Sequence, residues 1–310
     1  MFKVSAVVCT RNRGSRIVAT LDTLLANSHP NFEVIVLDQS TDGVTAEAVE
    51  PYKQDPRFRH LPSSSKGTGW ARDLGLRAAR GAVVAYTDDD CIVPANWLEE
   101  IEKIFDQNPK VAVAFCNVRP APYDATAGFI PAYERTNDQI VRNMWDKCRA
   151  RGIGAGMAVR REPALKIGGF DHRLGPGSRF SDCEDGDIAM RALIAGWWLY
   201  ESAQVAVVHD GFRTWEEGKA MAQRNWIGIG AAYAKPIKCG HWRAATVVLY
   251  EAFVVALGKP LSRLVRLRKP QGIRSFYYFW KGFALGLTQT VNKDTIKFSD
   301  NSDSLEAQHG

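Results

Sequence analysis

Residues 66–101, KGTGWARDLGLRAARGAVVAYTDDDCIVPANWLEEI, contain the pattern that decides the fold. Positions 82–86 in the middle of this stretch are apolar and of strand length, and helical patterns occupy 70–79 and 95–107 on either side. A strand that is apolar throughout is typical of a parallel sheet whose two faces are covered by helices. The stretch therefore predicts an α/β fold.

The same alternation of strands and helices extends over residues 1–235. Further predicted strands lie at 4–9, 32–37, 57–61, 111–116, 152–161 and 198–209, and further predicted helices lie at 16–27 and 182–195. We expect a mostly parallel sheet, in which ligands bind at the carboxyl ends of the strands. The periodicity of residues 121–151 is weak, and a helix beside the binding crevice is expected there.

The composition is that of a globular protein with an anionic partner. The 310 residues are 45% apolar and 24% charged, the net charge is +6, and the sequence pI is about 9.0. Nucleic acid, a phosphorylated substrate and anionic lipid are three partners that would suit this charge. The six cysteines form no C-x-x-C pair, and the first residues lack the pattern of a signal peptide. Both observations predict a protein of the reducing cytoplasm.

A region of different composition is expected over residues 236–291. It contains two apolar helical stretches, 241–258 and 275–287, each shorter than the roughly 20 residues of a spanning helix. The link between them carries the basic residues Lys259, Arg263, Arg266, Arg268, Lys269 and Arg274. Amphipathic helices lying on an anionic membrane surface explain this pattern, and helices packed on the main domain or on a second subunit are the alternative. The tail 292–310 is polar and expected to be frayed.

Three consecutive acids, Asp88, Asp89 and Asp90, follow the strand predicted at 82–86. Their carboxylates are therefore expected to lie together at the carboxyl edge of the sheet, where they repel one another. Mg²⁺ or Mn²⁺, held by one or two carboxylates together with substrate phosphates, would relieve this repulsion. The alternative is an acidic turn that caps the next helix, because aspartate is favoured at helix starts.

A second acidic group, SDCEDGD at residues 181–187, opens the helix predicted at 182–195. Acids at a helix N-terminus are stabilised by the helix dipole, which explains them without any catalytic role. The group nevertheless contains more acids than one helix cap requires, and transfer of a group to a hydroxyl needs a general base. The second acidic group is therefore a candidate source of that base.

Polar residues also follow the first two predicted strands. The residues after the first strand are Thr10, Arg11, Asn12 and Arg13. Asp38 follows the second strand, and all five residues are expected to face the crevice of the three aspartates. The arginine and asparagine side chains could contact a base and phosphates, and Asp38 could accept a hydrogen bond from a base or ribose. A polar turn is the alternative for residues 38–43.

Four segments, spread in order over residues 3–212, resemble glycosyltransferase family 2, whose members have the GT-A fold. Residues 4–25, VSAVVCTRNRGSRIVATLDTLL, resemble the family's first strand and nucleotide-contacting loop, and residues 34–43, VIVLDQSTDG, resemble its second strand and aspartate. Residues 66–101 are similar to the central stretch with a D-x-D element, and residues 154–211 are similar to the segment with the E-D motif. The resemblance implies a Rossmann-like nucleotide-diphospho-sugar transferase with a mixed, mostly parallel sheet flanked by helices.

The resemblance also implies a role for each candidate residue. Asp185 is expected to deprotonate the acceptor hydroxyl, with Glu184 positioning it or binding the acceptor. The expected ligands of Mn²⁺ or Mg²⁺ are Asp90, Asp88 and His209, and a structural role is the alternative for His209. The expected donor-binding residues are Thr10, Arg11, Asn12, Arg13, Asp38, Lys66, Arg72, Asp88 and Asp89. Gln39 and Asp73 depart from the family pattern, which leaves the nucleobase preference open.

Together these features predict an inverting glycosyltransferase that moves one sugar from a nucleotide-diphosphate sugar to a glycan or lipid-linked acceptor. We expect it to be peripheral on the inner face of the cell membrane. Nucleic-acid binding is disfavoured, because the basic residues lie beside apolar helices and not along an aromatic-rich groove. The alternatives are an inactive nucleotide-sugar-binding module, a nucleotidyltransferase and a dinucleotide-dependent dehydrogenase, although the sequence lacks G-x-G-x-x-G after its first strand. The sugar, the nucleotide and the oligomeric state stay open.

Overall fold

The computed structural model describes residues 2–266 and 272–299. The strands within these residues are β1 (Val4–Thr10), β2 (Phe32–Asp38), β3 (Phe58–Pro62), β4 (Val83–Asp88), β5 (Cys91–Ile92), β6 (Val111–Pro120), β7 (Gly128–Phe129), β8 (Gln139–Val141), β9 (Met157–Arg160), β10 (Trp198–His209), β11 (Arg213–Thr214), β12 (Val291–Asn292) and β13 (Lys297–Phe298). The main sheet has the order β3-β2-β1-β4-β9-β6-β10-β5, with β8 also paired to β10. Strands β7 and β11 form one small sheet, and β12 and β13 form another.

Helices cover both faces of the main sheet. The helices are α1 (Val18–Leu25), α2 (Val44–Val49), α3 (Thr68–Ala78), α4 (Trp97–Gln107), α5 (Met144–Lys147), α6 (Arg161–Lys166), α7 (Glu184–Ile194), α8 (Trp215–Lys238), α9 (Ala245–Leu249), α10 (Gly258–Val265) and α11 (Ile273–Thr288), and a π-helix, Tyr250–Ala256, joins α9 to α10. Apolar side chains of α1 and α4 pack on one face, and those of α3, α6 and α7 pack on the other. The main sheet is therefore covered by helices on both faces, which is the α/β arrangement that the apolar strands predicted.

The register of the sheet brings the candidate residues to one edge. Strands β3, β2, β1 and β4 are parallel, and Thr10 is paired with Asp38 while Cys9 is paired with Asp88. Strand β9 is antiparallel to both β4 and β6, whereas β6 and β10 are parallel. The sheet is thus mixed and mostly parallel, as expected, and the carboxyl ends of β1, β2 and β4 lie side by side.

The C-terminal helices pack on the main domain through their inner faces. Buried side chains of α8, α9 and α11 form a third core with residues that precede and belong to α7, among them Phe180 and Met190. Helices α8 and α11 approach closely, because a Cβ atom on Gly230 or Gly282 would collide with the backbone of the partner helix. The position expected to separate two regions, Pro236, lies inside α8.

Four segments differ from the expectations. Helix α8 was not predicted, and residues 121–151 form β7, β8 and the short α5 where one helix was expected. The first C-terminal stretch is longer than predicted: the helix Trp242–Arg263 is long and apolar enough, by length and composition alone, to cross a membrane. The start of the tail is folded, because β12 and β13 pair and bury Phe298. Arg268, Lys269 and the tail residues 300–310 lie outside the described residues.

Candidate active site

A cleft of about 690 Å³ opens where the first and fourth strands end, opposite the start of α7. The structure brings ten of the candidate residues to its lining: Thr10, Arg11, Arg13, Arg72, Asp88, Asp89, Asp90, Glu184, Asp185 and His209. Both acidic groups thus face one cleft, although 93 positions separate Asp90 from Cys183, the residue that precedes α7.

In the first acidic group, Asp88–Asp90, two of the carboxylates contact the basic side chains of Arg13 and His209 at the wall of the cleft. Arg13 places Nε 3.1 Å from Asp89 Oδ1 and Nη2 3.1 Å from Asp90 Oδ2. His209 Nδ1 donates to the carbonyl oxygen of Pro131 at 2.9 Å, which directs Nε2 to Asp90 Oδ1 at 3.3 Å. Asp89 and Asp90 are buried, whereas the side chain of Asp88 is 40% exposed.

Burial and these partners shift the pKa values in the first group. Burial raises the pKa of Asp89 to about 6, since the nearby Arg13 offsets only part of the desolvation and the other two carboxylates add to it. Burial also acts on Asp90, but the hydrogen bond from His209 and the charges of His209 and Arg13 outweigh it and lower the pKa. Burial lowers the pKa of His209, but the bonds to Asp90 and to the Pro131 carbonyl, together with the charges of Asp90 and Asp88, outweigh burial and raise the pKa.

The donor atoms of this group suit a hard divalent cation. A carboxylate oxygen of Asp90 and a ring nitrogen of His209 lie within 4.8 Å of each other, with the Cys91 thiol also in range. Burial holds the pKa of Cys91 well above its usual range, so the thiol keeps its proton and is a poor ligand. The remaining oxygen and imidazole donors, with Asp88 beside them, are compatible with Mn²⁺ or Mg²⁺.

The second acidic group lies at the start of α7. Cys183, just before the helix, has φ of +73°, a left-handed conformation that few residues with a side chain adopt. Asp182 Oδ1 accepts from the Cys183 N–H at 2.7 Å, and Asp185 Oδ1 accepts from the Gly186 N–H at 2.6 Å. Asp182 and Asp185 both line the cleft, and Asp185 is half-buried.

Arg72 connects the two acidic groups. Its Nη1 donates to Glu184 Oε1 at 2.8 Å, and its Nη2 lies 3.4 Å from Asp88 Oδ1. A Cβ atom on Gly154 would collide with this guanidinium, so glycine leaves the space that Arg72 occupies. The buried cation keeps its charge, because the attraction of Glu184 and Asp88 outweighs desolvation and raises the pKa of Arg72.

Crowding of the acids also raises pKa values in the second group. Burial raises the pKa of Glu184 despite Arg72, and the charges of Asp185 and Asp88 add to the rise. Burial likewise raises the pKa of Asp182 well above its usual range, with Asp185 and Glu184 contributing. Glu184 and Asp182 therefore take up a proton more readily than exposed acids do.

Three candidate residues are not part of the cleft lining within the described residues: Asn12, Asp38 and Lys66. Asn12 Oδ1 accepts from the Thr41 N–H at 2.9 Å, so this side chain joins two loops. Asp38 accepts from the Ser40 N–H at 2.8 Å and contacts His60 Nε2 at 2.9 Å. Lys66 is exposed, next to the lining residue Gly67. A donor contact of these three residues stays a prediction.

Several lining residues were missed by the sequence reasoning. Phe129 and Arg213, on the paired strands β7 and β11, form one wall, and Met221 and Asn225 reach the cleft from α8. Asn225 belongs to QRNW at 223–226, a segment that had no assigned place. Because α8 and both short strands were unpredicted, the sequence contained no clear signal for this wall.

Known structures and relatives support the assignment of the fold. S. aureus TarS 1–349 in complex with UDP-GlcNAc superposes with a TM-score of 0.65 at 16% identity, covering 91% of this chain and 82% of that chain. The mannosyltransferase PcManGT from Pyrobaculum calidifontis, in complex with GDP-Man and Mn²⁺, gives 0.62 at 21% identity, covering 92% of this chain and 87% of that chain. These likenesses confirm the expected GT-A fold.

Sequence relatives are glycosyltransferases as well. The glucosyl-dolichyl phosphate glucuronosyltransferase of Haloferax volcanii is 22% identical over 223 residues, which are 67% of this chain and 66% of the relative. Matches to glycosyltransferases of three Rickettsia species span 106 residues, only 15% to 18% of the length of those relatives. Residues 5–168, more than half of the chain, match the model of glycosyl transferase family 2, and the chain therefore belongs to this family, as its four motif segments predicted.

Proposed function

We propose that the protein transfers one sugar from a nucleotide-diphosphate sugar to an acceptor hydroxyl, with inversion at the anomeric carbon. The observation that carries this proposal is the bridge made by Arg72 between the group Asp88–Asp90 and Glu184. The bridge supports a proposal in which a cation and a diphosphate bind beside the candidate general base. TarS with UDP-GlcNAc and PcManGT with GDP-Man and Mn²⁺ support a nucleotide-sugar donor.

The first acidic group and its neighbours would bind the donor. Asp90 and His209, with the exposed Asp88, would hold Mn²⁺ or Mg²⁺, which when bound neutralises charge on the diphosphate. The guanidinium groups of Arg11, Arg13 and Arg72 line the same cleft and would contact the phosphates or the base, with Thr10 beside them, and Asp89 would support the metal ligands.

Asp185 would act as the general base. Its carboxylate takes the proton of the acceptor hydroxyl while the acceptor oxygen forms a bond to the anomeric carbon. The bond from this carbon to the diphosphate oxygen breaks on the opposite face, so configuration inverts. Arg72 fixes Glu184 next to the base, and its charge also stabilises the leaving diphosphate.

The acceptor that we propose is a glycan or a lipid-linked sugar in polysaccharide or glycolipid synthesis. The Haloferax relative, a glucosyl-dolichyl phosphate glucuronosyltransferase by name, supports a lipid-linked class. For such an acceptor, we propose that the protein works at the cytoplasmic face of the membrane. Full activity on soluble acceptors by protein that is released at low salt would contradict this location.

The test is calorimetric titration with UDP, GDP, dTDP and CDP, with and without Mn²⁺, on the wild type, on Asp90→Ala and on the control Asp106→Ala. Asp106 is exposed on α4, away from the cleft. We expect one nucleotide to bind only with Mn²⁺, and this binding to disappear in Asp90→Ala alone. Binding without sugar transfer to any acceptor would favour an inactive nucleotide-sugar-binding module, and release of pyrophosphate from a nucleoside triphosphate would favour a nucleotidyltransferase.

A further inference from the structure

The helix that runs from α9 through the π-helix into α10 exposes a stripe of apolar side chains. Leu249, Phe253, Leu261 and Val265 are 51%, 49%, 48% and 84% exposed, and the half-buried Leu257 occupies the remaining position of this four-residue spacing. Exposed apolar side chains in a continuous row are costly in water, whereas isolated ones are ordinary. The row therefore indicates a contact with something outside the chain.

The opposite side of this helix is attached to the main domain. Val248, Ala252 and Ala256 are buried, and Glu251 accepts two bonds from the guanidinium of Arg151, at 3.0 and 3.3 Å. A helix held in this way cannot cross a bilayer without breaking a partly buried ion pair, even though its length would allow it. Only its outer face is available to a partner.

Helix α11 adds a second exposed face beside the first. The ring of Phe253 lies 5.4 Å from that of Phe276, so the two helices adjoin. The inner side of α11, with Gly282 and Gly286, is packed on α8. The outer apolar residues of both helices form what we call the C-terminal apolar surface: Leu249, Phe253, Val254, Leu261, Val265, Ile273, Tyr277 and Leu285.

Positive charge accompanies this surface. Residues 236–291 contain nine lysines and arginines and a single acid, Glu251, which is buried against Arg151. Since the whole chain has a net charge of +6, the remaining residues are net negative. Arg266, Arg274 and Lys281 are exposed beside the apolar residues, and Lys281 shares the outer face of α11 with Tyr277.

We propose that the C-terminal apolar surface docks on an anionic phospholipid bilayer, with both helices lying in the plane of the interface. Apolar side chains enter the acyl boundary and the basic residues contact headgroups, which is how amphipathic helices bind membranes. A second copy of the chain is a poorer partner, because it would bring an equally basic surface against this one. The proposal does not depend on the proposed enzymatic activity.

The test is co-sedimentation of the full chain with vesicles of phosphatidylcholine alone and with vesicles that also contain phosphatidylglycerol. We expect binding to the anionic vesicles that weakens as salt increases. Phe253→Ser with Leu261→Ser, and separately Arg266→Glu with Arg274→Glu, should each reduce the binding constant by about tenfold or more. The control Lys53→Glu with Lys103→Glu changes the net charge equally at exposed sites of the main domain and should bind like the wild type.

Two results would overturn the proposal. One is wild-type protein that stays in the supernatant with both kinds of vesicle. The other is a mass of two chains in light scattering that the Phe253→Ser, Leu261→Ser variant reduces to one, because this surface would then join two copies. Thermal unfolding of each variant is compared with that of the wild type, and this control distinguishes a lost membrane contact from an unfolded protein.

Discussion

The two acidic groups of the cleft face the same space but are neutralised in different ways. Asp89 and Asp90 are paired with Arg13, whose side chain is 28% exposed at the cleft wall. On α7, Glu184 is paired with the buried Arg72, and Asp187 is paired with the buried cations Lys235 and Arg191. The first group can therefore exchange its partner for another cation, whereas the second has its countercharges fixed in the core.

One of the fixed countercharges of α7, Lys235, comes from the C-terminal part of the chain. Lys235, on α8 and fully buried, contacts Asp187 Oδ1 at 2.7 Å and also Asp171 Oδ2. Asp171 Oδ2 in turn accepts from the Phe298 N–H at 2.8 Å. Lys235 and Phe298 lie beyond residues 5–168, which match the family model. They therefore help to hold α7, the helix that bears Glu184 and Asp185. We infer that the first acidic group can exchange its countercharge for a bound cation, whereas the second keeps its countercharges in place.

The largest effect is expected from Asp185→Asn. A general base contributes roughly a hundred- to ten-thousandfold to the rate, so kcat should fall by that factor. Nucleotide binding in the presence of Mn²⁺ should change by less than about twofold, because the first acidic group is intact. Single-turnover rates and calorimetry measure the two quantities. If kcat and nucleotide binding fell by the same factor, the two acidic groups would not have separate functions.

Lys235→Met tests whether the second group depends on its buried cation. The substitution leaves Asp171 and Asp187 buried without this partner, which should lower the free energy of unfolding by about 3–5 kcal/mol. Urea unfolding measures the loss, and Lys219→Met, at an exposed position of the same helix, should change it by less than about 0.5 kcal/mol.

A second substitution distinguishes lost charge pairing from lost packing. In Lys235→Met, Asp187 keeps its pair with Arg191, whereas Asp171 loses its ion pair. Adding Asp171→Asn removes the charge of Asp171 and should recover part of the stability. No recovery would mean that the lysine acts through its packing in the core and not through its charge.

Much of the sheet was predictable, because its central strands are apolar at nearly every position. Strands β1 and β2 extend one residue beyond the predicted ends, and β10 matches its predicted limits. Helix α8 escaped prediction for a physical reason: its first half is polar and exposed, and its second half, GIGAAYA, has small side chains without clear periodicity. Contacts with α11 stabilise it, and local sequence does not show them.

In the candidate site, too, local sequence predicts the contiguous residues but not their distant contacts. Short motifs locate Asp88–Asp90 and the acids of α7, since each group is contiguous in sequence. The pairs that organise them are distant: Arg72 and Glu184 are 112 residues apart, and Arg13 and Asp90 are 77 apart. No spacing rule predicts such pairs. The folded start of the tail was missed because it depends on two buried side chains, Ile296 and Phe298, within a polar segment.

A smaller effect is expected from Arg72→Lys, which tests the bridge between the groups. Lysine keeps the positive charge but cannot donate in two directions from one planar group, so one of the contacts to Glu184 and Asp88 should be lost. A hydrogen bond to a charged group is worth about 1.5–3 kcal/mol, which predicts a loss in kcat/KM of roughly ten- to a hundredfold. Arg77→Lys, on the same helix and outside the cleft, is the matched control. Unchanged kinetics would show that Arg72 supplies charge alone.

The smallest effect is expected from Arg13→Ala. Whether Mn²⁺ binds more strongly or more weakly to this variant distinguishes two roles of the arginine. Because the guanidinium pairs with Asp89 and Asp90, it competes with any cation that these carboxylates bind. Its removal should therefore strengthen Mn²⁺ binding in the absence of nucleotide by a few-fold, since two unit charges about 4 Å apart in water interact by about 1 kcal/mol. The same variant should bind nucleotide diphosphate more weakly, since a cation that can contact the phosphates is lost.

Titration of Mn²⁺ into wild type, Arg13→Ala and the control Arg11→Ala measures this competition directly. Arg11 lines the same cleft from the same loop, so its loss should weaken nucleotide binding without strengthening Mn²⁺ binding. Weaker Mn²⁺ binding in Arg13→Ala would mean that the arginine orients the carboxylates and does not compete with the cation. The first acidic group would then be as fixed as the second, and the contrast between an exchangeable and a permanent countercharge would no longer hold.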